Sequence, residues 1–414
     1  MPRWPTGRPL LLALVLVALL PRLGLLAVVG TRGLEAWEYE SLAKSIAAGQ
    51  GYVIARFGHL AYAFGDGNLY SFLGAAVYMA AGHQPMLLAL VQAVLASLAT
   101  PVIYSLGAPI LGRRSALVGA LLSALHPGLL AYSLKLHALN LDVLLLVLLV
   151  LMLMSVDQRP RTGVRAGVAL GLNLMTRPTF FLAGALALVV RWLMGRAGFR
   201  AGFVAALIAL LIVSPWIARN WAVVGQPVIV STGFEDVWKG NNPLASGSAH
   251  LASGEDLMAV APPELRARLN SSTEMELNEI FTAEVLSFVQ THPDQFAVLT
   301  IKKFVYFWTF SPQTGLLYPS EWLLPYQMYY VVIASLGILG AVRILKEKDK
   351  RATELLVTLA VVSLVIASIH ALAYVEGRHR WGIEPLLLLL TGHGALYVWD
   401  WWRRFRARQQ PAMG

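Results

Sequence analysis

Four arginines stand where apolar segments of this chain give way to polar ones. They are Arg177 in Thr176-Arg177-Pro178, Arg219 in Pro215-Trp216-Ile217-Ala218-Arg219-Asn220, and the pair in Arg378-His379-Arg380. A guanidinium is a planar, permanently charged fork of N–H donors that matches the oxygens of a phosphate. At a membrane edge such a group reaches a lipid head group. Each arginine alone also fits a plainer role, with its stem in the apolar region and its head in water. Four at one face point instead to chemistry on a membrane-embedded, phosphate-bearing substrate. Arg378 and Arg380 occupy alternate positions of one turn, so one can hold a phosphate while the other anchors Glu376 or Glu384. Asp142 lies near the end of a run of Leu and Val, where an ionisable group is costly and faces a cavity or a partner. The plainer reading pairs it with Lys135 or Lys302.

These residues must be positioned by membrane helices. The chain is 57% hydrophobic and 14% charged, with a mean hydropathy of +0.62; soluble domains carry about 25% charged residues. Several apolar runs approach the roughly 20 residues that cross a bilayer, and the short alternating segments of a barrel are missing. Spans are expected at 9–30, 84–110, 115–133, 139–156, 163–176, 178–194, 201–218, 326–345, 352–373 and 382–402. The pair 163–176 and 178–194 is too short for two full spans. It should bend around Thr176-Arg177-Pro178 below the surface, which a membrane tolerates only where protein or a wet cavity satisfies the backbone.

Lys and Arg set the orientation. With the N-terminus inside, the inner connections hold 19 of the 33 basic residues against five acids. The net charge of +10 is then an address on the cytoplasmic face and not a sign of nucleic-acid binding. Arg3 and Arg8 before an apolar run resemble a signal peptide, but Pro21-Arg22 interrupts that run and no clear cleavage site follows, so the first helix is expected to be retained. The partner of Arg22 cannot be read. The chain has no cysteine, which excludes disulfides, thiolate metal sites and cysteine nucleophiles.

Two long segments fall on the outer face, 31–83 and 219–325. Residues 35–49 read as a short amphipathic helix whose Trp37, Leu42 and Ile46 rest on the membrane surface. Residues 68–82 form an apolar stretch that lies in the interface or re-enters. An acidic helical stretch covers 263–290. The expected division is 1–218, an N-terminal transmembrane catalytic module including the first external loop 31–83; 219–325, a long external loop; and 326–414, C-terminal helices with a basic cytoplasmic tail.

In order along the chain stand Glu35-x-x-x-Tyr39-x-x-x-Ala43 running to Gly49-Gln50-Gly51-Tyr52, His126-Pro127 with Tyr132-Ser133 and Asp142, Thr176-Arg177-Pro178, Pro215 to Asn220, Gly240-Asn241-Asn242-Pro243, and Arg378-His379-Arg380 with Glu384-Pro385. Each motif is short; the ordered set covers most of the chain. It resembles the GT-C superfamily of polyprenyl-phosphate-sugar glycosyltransferases, within it the protein O-mannosyltransferase and lipid A aminoarabinose transferase group. The resemblance implies an all-α polytopic membrane protein, a GT-C-type bundle of about ten transmembrane helices with interfacial helices in the first external loop. It implies transfer of a single sugar from a polyprenyl-phosphate donor to an acceptor hydroxyl on the external, periplasmic face of a bacterial inner (plasma) membrane, with both termini cytoplasmic. The acceptor is a lipid, a glycan or a protein.

The leaving phosphate in such a reaction needs positive charge, and the acceptor hydroxyl needs a base. The family places an acid at the start of the first external loop. Here it is Glu35, where Asp is usual, with Glu38 and Asp142 as the other candidates. Arg177, Arg219, Arg378 and Arg380 would take the phosphate. Tyr39, Asn241 and Asn242 are candidates for sugar or acceptor contact, although the two asparagines equally suit a turn. Some relatives use a divalent metal; His59 and Asp66, with Glu38, are weak candidate ligands whose spacing matches no standard site. Three rival readings are a lipid-linked glycan polymerase or ligase, a transporter and a non-catalytic lipid-binding scaffold. The first would want a large external loop with several Arg and His, and the second paired broken helices in inverted repeats.

Overall fold

The computed structural model describes residues 7–65, 67–251, 253–311 and 320–409. The chain opens with α1 (Arg8–Val29), followed by β1 (Glu35–Ala36), α2 (Glu38–Ala47), a hairpin of β2 (Ile54–Arg56) and β3 (His59–Ala61), and α3 (Asn68–Ala81). Next come α4 (Pro85–Leu111), α5 (Arg113–Ala124), α6 (Pro127–Ala131), β4 (Lys135–Leu136), α7 (Leu139–Met154), α8 (Thr162–Thr176), α9 (Pro178–Leu193) and α10 (Phe199–Val224). The second long segment holds α11 (Gly233–Lys239), α12 (Pro263–Asn270), α13 (Glu274–Thr291) and α14 (Pro293–Trp308). The chain closes with α15 (Ser320–Glu347), α16 (Lys350–Leu372), α17 (Gly377–Trp381) and α18 (Glu384–Gln409).

Helices occupy all ten expected spans, and the all-α polytopic membrane architecture is borne out. Among the described residues five helices are long and apolar enough to cross a membrane unaided, and the α5–α6 pair, bent by 41°, makes a sixth. That bend follows from His126-Pro127. A residue before proline is pushed out of the helical region, and His126 sits at φ −61°, ψ 118°.

Helix lengths fall into two groups. At 1.5 Å per residue, α4 is about 40 Å long and α10 about 39 Å, whereas α7, α8 and α9 reach only about 23–24 Å. The hydrocarbon core is about 30 Å thick. The three short helices therefore fall short of that thickness. α7 is apolar on every face and forms the centre of the bundle, with Leu146, Val147, Leu149 and Val150 fully buried. α8 lies directly on α10 because Gly163, Gly167 and Gly171 repeat every four residues. A Cβ on Gly163 would stand 2.0 Å from the Ala201 carbonyl oxygen, and one on Gly167 would stand 2.6 Å from that of Ala205. Small residues at such spacing let membrane helices touch backbone to backbone. Arg22, well inside α1, donates to the carbonyls of Ala18 (2.6 Å) and Ala124 (3.1 Å), the latter at the α5–α6 bend.

Two expectations are corrected. The helix expected to end near Pro215 continues through it to Val224, where Gly225 closes it in the left-handed conformation (φ 76°). The returning chain is stitched along this last stretch. Trp216 Nε1 donates to the Ile229 carbonyl (2.8 Å) and Asn220 Nδ2 to that of Val228 (2.9 Å). The other correction concerns α2, which does not rest its apolar face on the membrane. Leu42 is completely buried among Tyr52, Ala61, Phe64 and Trp216, so the first loop folds onto the bundle itself.

Candidate active site

A buried ion pair joins α7 to the α8–α9 turn. Asp142, in the first turn of α7, is completely buried, and its Oδ2 accepts from Arg177 Nε at 2.9 Å. Arg177 is the residue between α8 and α9, extended at φ −148°, ψ 97° because Pro178 follows. Asp142 thus takes neither Lys135 nor Lys302 in this contact, but an arginine that sequence reading assigns to phosphate. The first loop meets the end of α8 beside this pair: Gly67 N–H donates to the Thr176 carbonyl at 2.6 Å. Gly67 also backs onto the ring of Tyr39, where a Cβ would meet Cε1 at 2.3 Å.

Other segments converge on Trp37 and His137. β1 pairs in parallel with β4, setting Glu35 opposite Lys135 and Ala36 opposite Leu136. Lys135 Nζ is ion-paired with Glu35 Oε2, and Trp37 Nε1 donates to Glu35 Oε1 at 2.8 Å. The Glu35 side chain remains about half exposed. Two cations lie near the Trp37 ring, with Lys135 Nζ 5.8 Å and the Arg378 guanidinium 5.0 Å from its centroid. The buried His137 meets Trp37, Tyr39 and Tyr132 edge-on, with centroids at 4.8, 5.0 and 5.1 Å. Burial lowers the His137 pKa well below the usual imidazole value, and Arg378, Arg177 and Lys135 add to the shift. The last turn, α17, supplies Arg378, ion-paired with Glu376 and donating to the Tyr374 hydroxyl at 3.1 Å. His379 beside it stacks on His370 of α16 at 3.9 Å. Three cations, each paired with a carboxylate (Lys135 with Glu35, Arg177 with Asp142, Arg378 with Glu376), are therefore brought together from separate stretches of the chain with a buried imidazole and an indole face.

The remaining candidates are elsewhere or otherwise engaged. Arg380 is buried and turned away. It donates to Glu384 (2.6 Å), to the carbonyls of Phe307 (2.9 Å) and Thr309 (2.6 Å) and to the Tyr326 hydroxyl (3.1 Å), and it lies 3.7 Å over the Tyr330 ring. Glu384 also pairs with His126. Arg219 fastens the first loop to α10 through the Tyr62 carbonyl and that of Tyr52 (3.0 Å). Asn241 and Asn242 take the turn reading: Asn241 Nδ2 donates to Val237 and Leu372 carbonyls (both 2.7 Å), and Asn242 Nδ2 to that of Trp238 (2.8 Å). The fully buried Lys303 locks this turn, reaching Gly240 O, Asn241 Oδ1 and Ala373 O at 3.0, 2.8 and 2.8 Å. Glu38 is half-buried at the start of α2. His59 sits on β3, and Asp66 lies outside the described residues. Among the described residues no group of three or more His, Asp or Glu side chains is placed to hold a metal ion.

Sequence reading passes over His137 and gives Lys135 and Trp37 only incidental roles. The available signal is a polar Lys135-Leu136-His137 break between two apolar spans; their neighbours come from segments far away in the chain.

Residues 68–218, from α3 through most of α10, match the family model described as dolichyl-phosphate-mannose-protein mannosyltransferase. The matched region includes Lys135, His137, Asp142 and Arg177 but neither Glu35 nor Arg378. No curated protein matches the chain. Among solved structures, the chain is similar to ArnT from Cupriavidus metallidurans bound to undecaprenyl phosphate, at 15% identity and a TM-score of 0.44, over 99% of this chain and 82% of that one. Residues 68–218 are thus similar to that mannosyltransferase family, a glycosyltransferase family of GT-C type, and the resemblance read from the sequence is borne out.

Proposed function

We propose that the protein moves a single sugar from a polyprenyl-phosphate donor to an acceptor hydroxyl at the outer face of the membrane. The observation that carries this reading is the gathering of Glu35, Lys135, Arg177 and Arg378 from four separate segments near Trp37 and His137. The donor phosphate enters beside Lys135, Arg177 and Arg378, where fixed cations favour the charge that grows as it leaves. Lys135 exchanges its partner, from the Glu35 carboxylate to the phosphate. Glu35 is then free to take the proton of the acceptor hydroxyl. The acceptor oxygen bonds to the anomeric carbon, the bond from that carbon to the phosphate oxygen breaks, and the electron pair departs with the lipid phosphate. Arg219 and Arg380 have no part in this step, because their guanidinium groups hold the first loop and Glu384.

Replacing the base tests the reading. Glu35→Gln keeps size and hydrogen bonding but cannot accept a proton, and general-base catalysis contributes about 10²–10⁴ in rate. Turnover should fall by that order while donor binding persists. Glu35→Asp should retain appreciable activity. Glu40 is unsuitable as a silent control, because it is buried and holds Tyr78 (3.2 Å), His83 (2.6 Å) and Lys44 (3.2 Å); the exposed Glu279 serves instead. Normal turnover in Glu35→Gln with loss in Glu38→Gln or Asp142→Asn would move the base. Normal turnover in all three would put the scaffold reading first.

A further inference from the structure

The proposed reaction gives no part to the long external loop, yet a lysine of that loop lies where α16 ends and the Arg378 turn begins. Lys303, on α14, is completely buried, and a lysine is almost never so unless it is paired. Among the described residues no carboxylate offsets its burial, which draws its pKa down to about 7. Its Nζ donates instead to Gly240 O at 3.0 Å, Asn241 Oδ1 at 2.8 Å and Ala373 O at 2.8 Å. Three acceptors match the three N–H bonds of an ammonium and favour that form. Two of them are carbonyls at helix C-terminal ends: Gly240 follows α11 and Ala373 follows α16. Carbonyls there have no partner within their own helix, and a cation is favoured at such an end. Lys303 thus caps two helices from a third.

The two helix ends are in backbone contact. A Cβ on Gly240 would stand 1.6 Å from the Ala373 carbonyl oxygen. Asn241 Nδ2 donates to Leu372 O at 2.7 Å, and Val375 N–H donates to Gly247 O at 3.0 Å. Gly247 is left-handed (φ 100°), and a Cβ there would meet Lys303 Cγ at 3.3 Å, so the lysine stem runs along the same turn. His250 Nδ1 lies 3.7 Å from Glu376 Oε1. Residues 372–376 are therefore fastened to residues 240–250 and to Lys303. The same short stretch holds Arg378, through the Tyr374 hydroxyl at 3.1 Å and the Glu376 carboxylate. Arg378 in turn meets Trp37 of the first loop, its guanidinium 5.0 Å from the ring centroid. Contacts thus run without a gap from Lys303 to Trp37.

We infer that Lys303 is a positioning residue: by capping the end of α16 from the long external loop, it fixes residues 372–376 and so sets Arg378 against Trp37. That Arg378 meets the donor phosphate rests on the proposed function; its placement by Lys303 does not, and the two are tested separately. Placement is read from ¹⁹F spectra of the full-length protein in nanodiscs, labelled with 5-fluorotryptophan, with the Trp37 signal assigned by Trp37→Phe. Lys303→Met keeps the stem and removes the donor. It should move the Trp37 signal in the same direction as Arg378→Ala does. Arg268→Met, at an exposed ion pair with Glu284 of the same loop, should leave that signal in place. An unmoved signal in folded Lys303→Met, or an equal shift in Arg268→Met, would overturn the inference. If Lys303→Met does not fold, Asn241→Ala decides: it removes one acceptor of Nζ and the bond to Leu372, and should give the same shift. The consequence for the donor is read by titrating polyprenyl phosphate. Arg378→Ala should lose about 10- to 100-fold in affinity and Lys303→Met a part of that. The double variant should lose no more than Arg378→Ala alone, because residues that act through one contact are not additive. Losses that multiply in the double variant would show that Lys303 does not act through Arg378 and would also overturn the inference. Wild-type affinity in Arg378→Ala would instead remove Arg378 from the phosphate site of the proposed reaction, and the Trp37 signal would still decide the placement.

Discussion

The Asp142–Arg177 pair allows structural and functional roles to be separated. The carboxylate is fully buried and the guanidinium side chain 9% exposed. Removing one partner of a buried pair costs about 3–5 kcal/mol, chiefly because the other charge is left uncompensated. Arg177→Met should therefore lower stability by that order. It should also weaken the lipid donor about 10- to 100-fold, the worth of one charge-assisted bond to phosphate. The double variant Asp142→Leu with Arg177→Met removes both charges. Replacing a buried pair by apolar groups of similar volume is often neutral or stabilising, so thermal stability should return. Donor affinity should not, because the cation is still missing. Both quantities can be read on the same nanodisc preparations, by a thermal melt and by titration with polyprenyl phosphate. Donor affinity that recovers along with stability in the double variant would show that Arg177 only holds α7 to the α8–α9 turn.

Two further outcomes follow from the outer segments. Glu235 of α11 accepts from Arg56 and Lys239 at 2.6 and 2.9 Å, tying the first-loop hairpin to the long loop. Burial opposes its ionisation, but Lys239 and Arg56 prevail and lower its pKa below the ordinary 4.5. A depressed carboxylate stabilises fully above its unfolded value and loses that contribution as pH falls through the folded one. The melting temperature of the wild type should exceed that of Glu235→Gln above pH 4.5, and the gap should shrink at lower pH; a gap independent of pH would exclude the ion pairs as its source. For orientation, the chain has no cysteine and Ser271 is exposed. Ser271→Cys in intact cells should react with an impermeant thiol reagent, and reaction only after lysis would reverse the proposed face.

How much was legible depended on how local the cause was. The apolar runs marked ten helices, and Pro178 marked the break that exposes Arg177, because a residue before proline leaves the helical region whatever surrounds it. Pro215 gave a false stop. Continuation of α10 depends on Trp216 and Asn220 binding a strand of chain that returns from Val228 and Ile229, which no local pattern announces. Arg378 and Arg380 looked equivalent on alternate positions of one turn. Their fates differ because α15 delivers Tyr326 and Tyr330 to Arg380, while Trp37 of the first loop meets Arg378. The Glu35–Lys135 pair joins residues 100 apart through a two-residue parallel bridge, too short to carry a strand signal. The glycines of α8 were visible as a spacing of four; the helix they admit was not.

The central claim is sugar transfer from a lipid phosphate. The purified protein in proteoliposomes should be given a panel of polyprenyl-phosphate sugars together with a membrane-lipid, glycan and peptide acceptor mixture, and released polyprenyl phosphate and glycosylated product should be quantified together. The account predicts one-to-one formation of polyprenyl phosphate and a singly glycosylated acceptor with at least one donor, lost in Glu35→Gln. Binding of these donors with no product from any of them, or a product carrying a transferred chain of sugars, would contradict it.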